Sequence, residues 1–152
     1  APGNPPLKLL ADSNGGIKTI VIRGLDSDPT VATSQYIAQS RFYDLKKGIQ
    51  ILKQVTDVRD IILITAGESM QGYGHIGAPV KGVKTTYPSA LPHMVMKDVL
   101  GQVVPAGKTC EDLGVCFFTA EAVISIGSAF QSGPPSLHRR WICVRDARKV
   151  AA

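Results

Sequence analysis

The sequence predicts an α+β domain: one main helix over about 30–54, packed on a largely antiparallel, curved β-sheet. Three observations predict it. A strand-like run, a helix-period segment and a second strand-like run follow one another between residues 17 and 66, which leaves room for an initial βαβ unit. Four further strand-like segments come after residue 67, separated by Gly/Pro turns. No helix-period segment of comparable length follows residue 67, and strands joined by turns pair antiparallel more readily than parallel.

Residues 1–16, APGNPPLKLLADSNGG, hold three prolines, three glycines and two asparagines. Proline fixes φ and lacks a donor, so this reads as an extended arm that ends in a turn at Asn14-Gly15-Gly16. Residues 17–152 then form one globular domain, a length that buries roughly 70% of its unfolded surface without a staple. IKTIVIRG, 17–24, is the first strand. Asp28 is placed to cap the helix, with Pro29 at its first position. Ala38, Phe42, Leu45, Ile49 and Leu52 recur at spacings of four and three and give one apolar stripe. Gly48 lies inside that stripe and weakens the helix by about 1 kcal/mol relative to alanine, so a bend or break is expected there.

RDIILITAG, 59–67, is the most strand-like segment in the chain. GAPVKGVKTTY, HMVMKDVLGQVV, GVCFFTAEAVISIGSAF and SLHRRWICVRDAR also read as strands. The turns between them are Tyr87-Pro88-Ser89, Pro105-Ala106-Gly107 and Ser132-Gly133-Pro134-Pro135.

Charged residues make up 19% of the chain, below the ~25% of typical soluble domains. Interface cores are depleted of charge, so this favours self-association. No run reaches the ~18 apolar residues of a membrane span, no signal peptide opens the chain, and a soluble protein is expected. The net charge of +5 is uneven. From Pro134 onward Arg139, Arg140, Arg145, Arg148 and Lys149 face the single acid Asp146. Such an end suits an anionic partner, either nucleic acid or an acidic surface, or else is a solvated tail. Trp141 among these arginines is placed to stack a base, or to fill the core of a strand.

Four patterns bear on chemistry. Gly67-Glu68-Ser69-Met70-Gln71-Gly72 approaches the nucleophile elbow G-x-S-x-G, but its second glycine comes one residue late. A catalytic Ser69 would need His75, His93 or His138 as base and an orienting carboxylate such as Asp98. The competing reading is a glycine-rich turn whose Glu68 and Ser69 bond local backbone. Cys110, Cys116, His138 and Cys143 have zinc-type donors, but Cys-x5-Cys is wide and His138 and Cys143 fall on opposite faces of a strand, so no metal site is expected. Three cysteines argue against a disulfide-built scaffold; Cys110 and Cys116 pair across their loop or remain thiols. Finally, Gly107-Lys108-Thr109 lacks the first glycine of a phosphate loop, because position 102 is Gln, so no cofactor is expected.

These features favour a non-enzymatic assembly protein forming a homo-oligomer. Two alternatives stand beside it: a small serine hydrolase using Ser69 with a histidine base, and an adaptor that binds another protein through its sheet edge.

Overall fold

The computed structural model describes residue 10, residues 16–26 and residues 33–132. Among the described residues there are four strands, β1 (Thr19–Arg23), β2 (Asp60–Ala66), β3 (Val80–Val83) and β4 (Val115–Thr119). They form one sheet in the order β3-β2-β1-β4, and every pairing in it is parallel. This α/β architecture corrects the expected antiparallel α+β sheet.

The correction comes from the second half of the chain. The main helix is also divided, into α1 (Thr33–Ser40) and α2 (Phe42–Val55), which meet at Arg41, whose φ −114° and ψ 37° leave the helical region. The break expected at Gly48 does not occur, and Gly48 sits within α2. Residues 93–104 are expected as a strand, but Pro92–Leu100 form helix α3. Proline stands in its first turn, and Gly101 at φ 67° ends it in the left-handed conformation. The segment expected as one strand over 114–130 is strand β4 followed at once by helix α4 (Ala120–Ser132). No Gly or Pro marks that junction. Val115, Cys116, Phe117 and Phe118 are all buried, so β4 reads as a continuous apolar run, as parallel strands covered on both faces do.

The expected Asp28 cap, most of the N-terminal arm, Trp141 and the whole basic end lie outside the described residues.

Alternation along the strands builds two cores. Ile20, Ile22, Leu63, Cys116 and Phe118 face α1, α2 and α4, meeting Ile37, Leu45, Ile49 and Val123. Val21, Ile64, Val115 and Phe117 face the other way, against Val95 and Met96 of α3. Each such side chain contributes about 1.5–3 kcal/mol of burial. Cys116 belongs to the first core and Cys110 to the second, so the sheet separates them. Both are free thiols.

Candidate functional site at the carboxyl ends of the strands

A parallel sheet places all its strand-to-helix loops at one edge. Here that edge carries Gly24-Leu25-Asp26 after β1, a 3-10 turn (Gly67–Tyr73) after β2, Lys84-Thr85-Thr86 after β3, and the start of α4 after β4. The chain steps from β1 outward to β2 and β3, then returns across the sheet to β4 on the other flank of β1. Ligands of open α/β sheets bind outside such carboxyl ends, near the reversal of strand order.

Strands β2 and β3 stay paired as far as Ala66 and Val83. Beyond that register β2 turns away into the 3-10 turn while β3 runs on, and a cleft of ≈ 530 Å³ opens between them. One wall is Gly67, Glu68 and Met70; the other is Gly82, Val83, Lys84, Thr85 and Thr86. The size is that of a small-ligand site. Two glycines shape it differently. A Cβ on Gly82 would stand 2.6 Å from the Met70 sulfur, so Gly82 lets Met70 fold over the strand. A Cβ on Gly67 would meet nothing within 4 Å.

Nearer the reversal, Arg23 ends β1 beside Thr119 of β4. Burial holds its guanidinium below the usual arginine value, with Asp26 offsetting part of that, and its Nε is buried without a hydrogen-bond partner. The Asp26 carboxylate is committed elsewhere: it accepts from the Ser34 backbone N–H at 2.8 Å and from the Ser34 hydroxyl at 2.7 Å. Thr119 Oγ1 accepts from Ala122 N–H at 3.3 Å and so caps α4. Beneath the 3-10 turn, Thr65 and Tyr73 bury hydroxyls that have no well-formed hydrogen bond. Burial raises the Tyr73 phenol above its ordinary value, and the Thr65 hydroxyl offsets part of the rise.

Ser69 lies in the 3-10 turn, where its Oγ accepts from Gln35 Nε2 at 2.5 Å. His75 is exposed on the turn that follows, and no described hydrogen bond joins it to Ser69. Cys110 and Cys116 stand on opposite sides of the sheet, and among the described residues no group of His, Cys, Asp and Glu is arranged to hold a metal. Arg139, Arg140, Arg145, Arg148 and Lys149 lie outside the described residues. Lys84, Thr85 and Thr86 escape sequence reasoning, because GVKTTY resembles only a strand and an incomplete phosphate loop. The usable signal is the pair Gly67 and Gly82, each at the end of a strand.

The fold defines a class, an α/β domain with a four-stranded parallel sheet and an open cleft at the sheet's carboxyl edge. No family model matches the chain. It is similar to the C subunit of the ion-translocating oxidoreductase complex of Buchnera aphidicola subsp. Acyrthosiphon pisum (strain APS), with 21% identity over 143 residues, 89% of this chain and 30% of that protein. It is likewise 23% identical over 140 residues to the corresponding protein of Buchnera aphidicola subsp. Baizongia pistaciae (strain Bp), covering 87% of this chain and 28% of that protein. The corresponding protein of Yersinia pseudotuberculosis serotype O:3 (strain YPIII) matches at 23% over 153 residues, 95% of this chain and 22% of that protein. The chain therefore spans less than a third of the length of these relatives.

Relatives named as subunits of a redox complex overturn the expectation of a structural assembly protein. The hydrolase and adaptor alternatives fall with it, and the parallel sheet removes the β-rich description. Subunits of a complex have partners, which agrees in a general way with the expectation of partner contact; the relatives give no support to a nucleic-acid partner. Among the described residues, no helix is long and apolar enough to cross a membrane.

Proposed function

We propose that this chain is an α/β domain of an oxidoreductase complex that holds a small redox ligand at the carboxyl edge of its sheet. The observation that supports this most is the coverage of the relatives: matches to one kind of redox-complex subunit extend over 87–95% of this chain. The cleft between the ends of β2 and β3 supplies the second part of the reading: it lies on the carboxyl edge, where open parallel sheets bind ligands, though one strand away from the β1/β4 reversal.

The residues present fit a phosphorylated redox nucleotide. Gly67 keeps its side of the cleft open, and Lys84, Thr85 and Thr86 offer a cation and hydroxyls to an anionic group, with Glu68 on the opposite wall. Such a group would supply the electron-carrying chemistry, which no protein side chain in the cleft provides. The segment after β1, Gly24-Leu25-Asp26-Ser27-Asp28-Pro29, lacks G-x-G-x-x-G, so a mononucleotide-sized ligand is the better fit. Ion translocation needs a membrane, and the domain would serve that process from the membrane's periphery.

The test of complex membership is genetic and biochemical. Deleting the gene should lower ion-coupled electron transfer by isolated membranes, and restoring the chain should recover it. Undiminished coupling in the deletion strain would contradict the reading.

A further inference from the structure

We propose that Arg23, with Thr119 beside it, recognises the carboxylate group of a small ligand at the reversal of strand order between β1 and β4. This site is separate from the cleft between β2 and β3, and it does not rest on the redox reading.

Register brings the two side chains together. Arg23 ends β1 and Thr119 ends β4, and the two residues are paired. On its other side Arg23 is in register with Ile64. Side chains in register on neighbouring parallel strands project from the same face, about 4.8 Å apart. Val21, Ile64 and Phe117 are buried on the face that α3 covers, and Arg23 and Thr119 follow Val21 and Phe117 by two residues. Arg23 and Thr119 therefore share that face, both partly buried, at the carboxyl edge. Open α/β sheets take their ligands at this reversal.

Arg23 lacks what a buried arginine ordinarily has. Its Nε is buried without a hydrogen-bond partner, and no described hydrogen bond or ion pair engages its guanidinium. Asp26 is three residues away, but its two carboxylate oxygens are both engaged by Ser34. A buried donor without an acceptor is destabilising, and an arginine kept in that condition calls for an acceptor from outside. Thr119 complements it. Its Oγ1 accepts from Ala122 N–H, which leaves the O–H free to donate. The positive end of α4 begins at the next residue.

Shape and charge select the ligand. The guanidinium fork matches a carboxylate with two parallel hydrogen bonds. It is a single cation, and acids stand in both adjoining segments: Asp26 after β1, and Glu121 in the first turn of α4. That balance suits a monoanion better than a phosphate dianion.

The experiment follows backbone amide resonances of the full chain during titration with sodium acetate, then with sodium phosphate, chloride holding the ionic strength constant. Acetate should shift Gly24 and residues 119–121 saturably and leave 84–86 in place. Arg23→Gln should weaken that binding tenfold or more. Arg23→Lys, which keeps the charge and loses the fork, should fall between. Without ligand, Arg23→Met should melt at or above the temperature of the parent, because it removes an unpaired donor. The proposal is overturned if acetate leaves these amides unmoved, if Arg23→Gln binds as the parent does, or if phosphate binds there as tightly as acetate. It is also overturned if Arg23→Met melts well below the parent, the result of a guanidinium bonded within the protein.

Discussion

Gly48 of α2 lies directly against Val123 of α4. A Cβ on Gly48 would stand 2.1 Å from the Val123 carbonyl oxygen, and one on Gly127 would stand 2.2 Å from the Asp44 carbonyl oxygen. The two helices therefore touch backbone to backbone, running antiparallel, and the glycine that weakens α2 locally is what lets α4 cover it. Arg41, at the break before α2, bonds both Asp44 and Ser128 and ties the same pair together.

Gly48→Ala should lower stability even though alanine is the better helix former. The propensity gain is about 1 kcal/mol. The contact to be relieved is backbone, which cannot swing aside, and overpacking of this kind costs typically about 1–3 kcal/mol beyond that gain. Urea denaturation of Gly48→Ala and Gly127→Ala measures it. An unchanged or raised midpoint in both variants would contradict the close crossing.

The Asp26 carboxylate holds the start of α1 from eight residues away, through both the N–H and the hydroxyl of Ser34. Asp26→Ala should cost about 1 kcal/mol, as loss of a helix cap does, and Asp26→Asn should recover most of it. Thermal unfolding of the two variants decides this, equal melting in both being the unfavourable result.

Burial pushes the Cys116 thiol up to about 12 and raises Cys110 as well, with Glu111 adding to both. A folded value above the ordinary 9.0 means that the neutral thiol is favoured by folding. That contribution is complete below about pH 9 and fades as pH rises toward 12. Alkylation at pH 8 should label neither Cys110 nor Cys116 in the native chain and both of these in denaturant. Mass mapping that finds native labelling of Cys116 would count against its burial.

Thr65 and Tyr73 bury hydroxyls without good partners. Replacing both at once, Thr65→Val with Tyr73→Phe, should leave stability within ~1 kcal/mol of the parent or raise it, because no satisfied bond is lost. A loss of several kcal/mol on calorimetry would show that the pair is bonded after all.

The first half of the chain is readable because its periods are clean. IKTIVIRG and RDIILITAG are β-branched runs bounded by glycine, and Leu45, Ile49 and Leu52 mark α2 at helical spacing. The second half is not. HMVMKDVL carries Val95, Met96, Val99 and Leu100 on a helical face, but its β-branched residues and its short length read equally as strand. AEAVISIGSAF has Val123, Ile124 and Ile126 with Gly127 among them, a composition that local propensity assigns to a strand. Packing on α2 decides otherwise, through the close approach at Gly48 and Gly127. The cleft is partly legible. Gly67, Glu68 and Ser69 stand out in the sequence for a different chemistry, while Lys84, Thr85 and Thr86 join them only because β2 and β3 are parallel neighbours. No local pattern encodes that pairing.

The proposed function requires the cleft lined by Gly67, Glu68, Lys84, Thr85 and Thr86 to hold a small redox ligand. The most direct measurement is a fluorescence titration of the purified chain with flavin mononucleotide, repeated on Gly67→Leu. A side chain at Gly67 enters open space, so the variant should fold as the parent does, confirmed by circular dichroism, while filling the cleft. Saturable binding of flavin mononucleotide, weakened tenfold or more by Gly67→Leu, is the predicted result. Absence of binding to the parent chain, or binding that Gly67→Leu leaves unchanged, would contradict it.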